Sequence, residues 1–285
     1  MLHTNRGVSN RCFSDARPEG CATDPSRWRH WNDKVKRWAA DADKRHVIAA
    51  NNQYDARYIR HFSGVPAEAI PSYCDKGFSY APSGGPVLLS MAQRVENALW
   101  PLLRQALRAR HLEGQVEFAH IRRLYRRYTY QDLSRHPAIV TIPYQVSVMS
   151  FFEQYRLNVP ILVPSRRLLA SWAVSSAVLE QRTWASVFGQ RAAPSALEPH
   201  PSYANESDPN DDSDEQAVYE WLEHADYYTF PHVLYWDSPE ELVELAAGRV
   251  VDFALVSHRM RMWNLEEGRR IRARWRALLH RALIP

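Results

Sequence analysis

From Pro86 onwards the sequence alternates short apolar segments with longer amphipathic ones, and this alternation constrains the fold more than any other feature. The apolar segments begin at positions 86, 115, 138, 160 and 232 and predict strands. Between them lie stretches of about 10–15 residues with apolar positions three or four apart, which is typical of helices. Strands that alternate with helices form parallel βαβ units. The sequence therefore predicts an α/β fold with a Rossmann-like parallel sheet flanked by helices.

The chain divides into three parts. Residues 1–23 are polar and charged, and we expect them to form a disordered leader. Residues 24–85 contain a helix that starts near Asp24, a short strand over 46–50 and a second helix, and we interpret them as a partial N-terminal Rossmann-like segment. A loop with glycines at 77, 84 and 85 marks the boundary. The main domain is expected over 86–285, and it ends on an Arg-rich helix over about 256–283.

Composition excludes several classes of protein. No stretch approaches the ~20 apolar residues of a membrane span, and the first residues lack the apolar core of a signal peptide, so a soluble chain with a cytoplasmic location by default is expected. The net charge of +4 is spread along the chain, which disfavours nucleic acid as a partner. Three scattered cysteines and the acidic run 211–215 lack the spacing of metal ligands. No metal site is therefore predicted.

The best candidate site follows the strand predicted over 138–143. Ligands of open parallel sheets bind beyond the carboxyl ends of the strands, and a helix that begins there offers backbone N–H groups to a phosphate. The helix predicted over 147–157 places the hydroxyl groups of Ser147 and Ser150 on its first turn. Glu153 follows two turns into the helix, where it could accept hydrogen bonds from a ribose or be an ordinary solvated side chain.

Other candidates follow the remaining strands. The polar stretch after the strand 46–50 could face a cleft between domains, although such residues are also ordinary loop and capping residues. Basic residues after two strands could contact a diphosphate, or they could belong to solvated helix faces, and the histidine could be structural. The cleft candidates are Asn51, Asn52, Tyr54 and Asp55, and the candidates near the donor are Arg94, His120 and Arg122.

The segment from Pro143 to Ser165 resembles the donor-site segment of GT-B glycosyltransferases. Members of that family often carry two acidic residues eight positions apart. Glu153 matches the second, which the resemblance implies holds the nucleotide ribose, and Gln145 stands at the first, where many retaining members carry glutamate. The resemblance implies a metal-independent transfer of a sugar from a nucleotide sugar to a hydroxyl acceptor. The helix N-terminus at Ser147 would then stabilise the departing diphosphate, with help from Arg94 or Arg122, and no cofactor is needed.

One departure from the family leaves alternatives open. The N-terminal half is reduced to about sixty residues, whereas a complete GT-B enzyme has two halves of similar size. A catalytically inactive binding or scaffold protein, or a gene fragment, is therefore the alternative to an enzyme. An Arg-rich nucleic-acid binder is a third hypothesis. The expected partners are a nucleotide sugar and a glycan, lipid or protein hydroxyl, and the sequence does not choose among them.

Overall fold

A computed structural model of the chain describes residues 25–41, 46–74, 79–180, 182–183, 195 and 197–283. The leader predicted over 1–23 lies outside these residues. A small parallel pair of strands comes first, β1 (Ala49–Ala50) and β2 (Glu68–Ala69). The main sheet contains β3 (Val87–Ser90), β4 (Phe118–His120), β5 (Ile139–Thr141), β6 (Ile161–Pro164) and β7 (Leu234–Trp236).

The main sheet confirms the predicted α/β fold. Its five strands are all parallel and lie in the order β4-β3-β5-β6-β7. The first strand of this sheet therefore lies between the second and the third, and the chain leaves β3 and β5 towards opposite sides. In open parallel sheets such a switch point leaves a crevice beyond the carboxyl ends of the strands.

Helices connect and cover the strands. They are α1 (Pro25–Ala39), α2 (Gln53–Ser63), α3 (Gln93–Ala109), α4 (Ile121–Leu124), α5 (Tyr130–Ser134), α6 (Met149–Arg156), α7 (Arg166–Ser176), α8 (Glu215–Leu222), α9 (Asp226–Thr229), α10 (Pro239–Ala246) and α11 (Phe253–Leu283). A 3₁₀ turn spans Pro201–Tyr203.

The sheet is buried on both faces because successive side chains of a strand point to opposite sides. Val87 and Leu89 of β3 pack into the main core, which is shared with α3, α7, α8 and α10. Leu88, between them, packs into a second cluster with Ile121 of α4 and Leu133 of α5. The near-continuous apolar strands seen in the sequence are the result of this double burial.

The N-terminal segment and the C-terminal helix pack against each other. Ala49 of β1 and Ile70, just after β2, form a cluster with Ile271 and Leu278 of α11. The N-terminal segment also contacts the main domain through α2, whose Tyr54 and Tyr58 belong to the main core. The last helix therefore turns back onto the start of the described chain.

Two helix boundaries differ from the sequence prediction. The helix expected over 147–157 begins at Met149, because residues 144–148 form an irregular loop. The apolar pattern of residues 166–185 also predicts one long helix, but α7 ends at Ser176, where Ala177 adopts a left-handed conformation with φ of 50°. This break turns Val178 and Leu179 into the core, where each is 3% exposed. Burial of two large apolar side chains outweighs the strain of one left-handed residue.

Candidate functional site

A cleft of about 750 Å³ opens beyond the carboxyl ends of β3, β4 and β5. It lies at the switch point of the sheet, between β3 and β5. Its walls come from three segments that follow these strands: residues 90–92, 120–123 and 141–145. The start of α6, at Val148, Met149 and Ser150, closes one side. Parallel strands bring these segments together because all their carboxyl ends meet at one edge.

The first turns of two helices are exposed to this cleft. The residue before α3 is Ala92 and the residue before α6 is Val148, and neither provides a side-chain hydrogen bond to cap its helix. Side chains do cap the starts of α2, α7, α8 and α10, whereas the short helix α9, which does not line the cleft, also lacks such a cap. The first N–H groups of a helix have no partner within the helix. The cleft therefore receives free donors and the positive dipole ends of two helices, which favour an anion.

Charged side chains add to the wall formed after β4. Arg122 and Arg123 both line the cleft and are exposed. Glu96, on the first turn of α3, lies beside Arg123 and is 5% exposed. Its Oε2 atom is 3.3 Å from Nη2 of Arg123, a geometry that makes an ion pair but no hydrogen bond. The cleft thus contains two guanidinium groups, one buried carboxylate that can still accept hydrogen bonds, and the half-buried carboxylate of Glu180.

Amide side chains provide the uncharged polar groups of the cleft. The Nε2 of Gln154 donates to Ser90 Oγ, and its Oε1 accepts from Thr141 Oγ1, each at 3.4 Å. Gln154 therefore joins the ends of β3 and β5. Gln145 is 7% exposed, and its Nε2 donates to the hydroxyl of Tyr144 at 3.4 Å. Its Oε1 is buried without a hydrogen-bond partner among the described residues, so this amide has unused capacity beside the cleft.

His120 lines the cleft, but both of its ring nitrogens already have partners. Nδ1 accepts from the backbone N–H of Arg122 at 3.2 Å, which caps α4. Nε2 then carries the proton and lies 3.0 Å from the carbonyl oxygen of Met91. This pair of bonds assigns a neutral imidazole that fixes the chain ends after β3 and β4. The structural interpretation of His120 accounts for all of its polar atoms.

Ser147 lies outside the cleft, in a buried polar cluster behind the loop that carries Gln145. Its hydroxyl accepts from Nδ2 of Asn51 at 3.1 Å, and it is fully buried. Asn52 donates to Oδ2 of Asp226 at 3.2 Å and caps α2 by accepting from the N–H of Asp55 at 2.7 Å. The cluster joins the N-terminal segment to the main domain, and it holds the 144–148 loop from behind.

The cluster contains two buried carboxyl groups with raised pKa values. Burial raises the pKa of Asp226 to about 8, although the bonds from Asn52 and Ser147 oppose this shift. Burial and then the charge of Asp226 raise the pKa of Asp55 well above its ordinary value. One oxygen of each carboxyl group has no hydrogen-bond partner in the described part of the chain. At neutral pH Asp226 is therefore mainly protonated, since ionisation would place a charge in an apolar interior.

The remaining predicted residues have different surroundings. Glu153 is half-buried on α6, where its Oε1 accepts from the hydroxyl of Tyr130 at 2.7 Å, and it is not among the side chains that line the cleft. Tyr54 is buried and bonds to Arg182 rather than facing the cleft. Arg94 lies on the first turn of α3, and its side chain is outside the described residues. Ser150 does line the cleft, as does Gln145.

Sequence reasoning missed three residues of this region. Glu96 sits one turn into α3, where an acidic side chain also has the ordinary role of complementing the helix dipole. Gln154 directly follows Glu153 on α6. Neighbouring side chains of a helix point in directions about 100° apart, so Gln154 lines the cleft and Glu153 does not. Asp226 follows a stretch with no strand signal, and nothing near it in sequence indicates burial. For these three residues, the one sequence feature that indicated a place near the site was the position of Glu96 soon after a predicted strand.

No group of three or more His, Cys, Asp or Glu side chains within the described ranges is arranged to hold a metal ion. Among these same residues, no helix combines the length and apolar composition needed to cross a bilayer. Comparison of the chain with the models of known protein families, with curated proteins and with solved structures finds no match. The site is therefore interpreted from its own chemistry.

Proposed function

We propose that the cleft binds the diphosphate of a nucleotide sugar, and that the chain transfers the sugar to a hydroxyl acceptor. The observation that carries this proposal is the convergence of two helix N-termini without side-chain caps on one cleft at the switch point. Nucleotides bind at this position in open parallel sheets. The resemblance of residues 143–165 to the donor-site segment of GT-B glycosyltransferases supports the choice of a nucleotide sugar over other phosphorylated ligands.

The charges of the cleft suit a leaving diphosphate. Breaking the bond between the sugar and the diphosphate leaves negative charge on the diphosphate oxygen. The helix N-termini at Ala92 and Val148, together with Arg122 and Arg123, would stabilise that charge. The backbone N–H groups of the two helix N-termini are fixed before the ligand arrives, so they need no reorganisation during the reaction. Such preorganised charge removes the need for a metal in the proposed mechanism.

Two carboxylates are candidates for the ribose hydroxyls. The resemblance implies Glu153, which does not line the cleft, whereas Glu96 does. Glu96 also has an oxygen without a hydrogen bond, while Glu153 already accepts from Tyr130. We therefore assign the ribose contact to Glu96 and keep Glu153 as the alternative.

A specific observation favours binding without transfer as the second candidate function. The acceptor side of a GT-B enzyme is its N-terminal half, but Asn51, Asn52, Tyr54 and Asp55 are each no more than 3% exposed and do not line the cleft. Within the described ranges, the cleft walls come from residues 89–180. Release of free nucleotide from UDP-glucose, GDP-mannose or ADP-glucose on adding sugar or lipid alcohols separates the two candidates. Saturable binding without such release supports a binding protein.

Calorimetric titration with UDP, GDP and ADP tests the binding site itself. We expect saturable binding of at least one nucleotide. Replacing both arginines, Arg122→Gln with Arg123→Gln, should weaken it about 10- to 100-fold, since each hydrogen bond to a charged group contributes about 1.5–3 kcal/mol before solvent screening. The matched control is Arg104→Gln with Arg108→Gln, which removes the same charge from the exposed outer face of α3. Equal losses in both variants, or no binding of any nucleotide, would contradict the proposal.

The ribose contact is tested with Glu96→Gln and Glu153→Gln. We expect Glu96→Gln to weaken UDP binding about tenfold, because an amide is a poorer acceptor than a carboxylate. The same change should leave pyrophosphate binding equal or tighter, since a negative charge has been removed. Glu153→Gln should change either affinity less than about threefold. The reverse ranking of the two variants would assign the ribose to Glu153, as the resemblance implies.

A further inference from the structure

The outer face of α11 carries a basic and apolar stripe that the cleft does not explain. The exposed stripe consists of Leu255, Met262, Leu265, Arg269, Arg276 and Leu279, which recur at spacings of three, four and seven. At 100° per residue these positions fall on one side of the helix. The four apolar members are 45%, 56%, 53% and 49% exposed, in chain order. The stripe runs from residue 255 to residue 279, so it extends along about 36 Å.

The opposite side of α11 already packs against the protein. Met260 and Ile271 are fully buried, and Trp263 and Trp275 pack against neighbouring aromatic and apolar groups. The apolar residues of the exposed stripe are therefore additional to those needed for folding. A single exposed leucine is ordinary, but four large apolar side chains along one helix face indicate an interaction surface.

The charge of α11 indicates which kind of partner the exposed stripe binds. The helix contains eight arginines and two glutamates. Both glutamates pair with Arg270. Glu267 is buried, and Glu266 is exposed beside Leu265 with its charge offset by Arg270. For Arg269 and Arg276, no ion pair with an acidic side chain is found in the described part of the chain. A helix with arginines and exposed apolar residues on one face is typical of binding in the interface of an anionic bilayer.

We propose that the exposed stripe of α11 docks on an anionic lipid surface. Its leucines and methionine enter the boundary between headgroups and acyl chains, and Arg269 and Arg276 contact lipid phosphates. A single-stranded RNA is disfavoured because the aromatic residues on which bases would stack, Trp263 and Trp275, pack inward. A second copy of the chain is disfavoured because it would bring two arginine-rich helices together. This inference is independent of the proposed function of the cleft.

Co-sedimentation of the full chain with phosphatidylcholine vesicles, with and without phosphatidylserine, tests the docking. We expect binding only when phosphatidylserine is present, with weakening as salt is raised. Arg269→Gln with Arg276→Gln should lower the partition coefficient about fivefold per arginine. Met262→Ser with Leu265→Ser should lower it on the order of tenfold, because these side chains no longer bury apolar area.

Control variants keep the test specific. Arg104→Gln with Arg108→Gln removes the same charge from α3 and should leave vesicle binding within about twofold of the unchanged chain. Circular dichroism confirms that each variant is folded, which is expected because all four replaced α11 side chains are exposed. Three results would overturn the proposal: no vesicle binding, equal losses in the α3 and α11 variants, or a stripe-dependent affinity for single-stranded RNA or for a second copy that exceeds the vesicle binding.

Discussion

Replacing Arg182 by alanine should lower the free energy of unfolding by about 3–5 kcal/mol, the cost of breaking a buried ion pair from one side. The side chain of Arg182 is fully buried, and its Nε donates to Oδ1 of Asp212 at 2.7 Å. Its remaining nitrogens donate to the carbonyl oxygens of Pro209 and Asp211 at 2.7 and 2.6 Å. The substitution removes a donor from two carbonyl groups, and it leaves the mostly buried Asp212 carboxylate with the hydrogen bond from Thr183 but without its positive partner.

Urea unfolding followed by circular dichroism measures this loss. Removing both charges, Arg182→Ala with Asp212→Ala, should recover part of it, because the carboxylate is then no longer left unpaired. Arg108→Ala breaks the exposed pair with Glu113, whose side chains are 72% and 62% exposed, and should cost less than about 1 kcal/mol. A loss for Arg182→Ala as small as that for Arg108→Ala would mean that the loop over residues 207–214 is not held by this side chain.

Replacing Asp226 by asparagine should change the free energy of unfolding in a way that depends on pH. The effect of the substitution should be more stabilising at pH 8 than at pH 5, by on the order of 2–4 kcal/mol. The pKa of Asp226 is about 8 in the folded protein, against an ordinary value of 3.8. Between these values the folded protein keeps a proton that the unfolded chain has released, so the stability of the unchanged protein declines as the pH rises from about 4 to about 8. Asparagine cannot ionise, and its side-chain oxygen can still accept from Asn52.

Unfolding in urea at a series of pH values measures this effect. We expect the two stability curves to lie close together near pH 4 and to separate as the pH rises. Asp33→Asn is the matched control, because Asp33 is exposed on α1, and its curve should stay parallel to that of the unchanged protein. Parallel curves for Asp226→Asn as well would show that Asp226 is ionised in the fold, contrary to its burial.

The residues near the cleft show which side-chain positions could be predicted from the sequence and which could not. The strand at 138–143 and the helix after it were predictable, because their periodicity depends only on local burial. From this, Gln145 and Ser150 were placed at the strand end, and both do line the cleft. Ser147 was placed with them, but the helix begins two residues later than predicted and the hydroxyl is turned to Asn51. Ser147 therefore lies in the loop before the helix, where helical periodicity does not set the direction of its side chain.

The sequence by itself determined the alternation of strands and helices, and therefore the parallel sheet and the edge at which polar side chains collect. These features follow from apolar periodicity, which is encoded within each segment. Only the tertiary structure decided the strand order, the pairing of Glu96 with Arg123 in the cleft lining, and the burial of Asp226 beside Asn52 and Asp55. Residues 52 and 226 are 174 positions apart. Contacts of this kind depend on how whole elements pack, and no local pattern of residues specifies them.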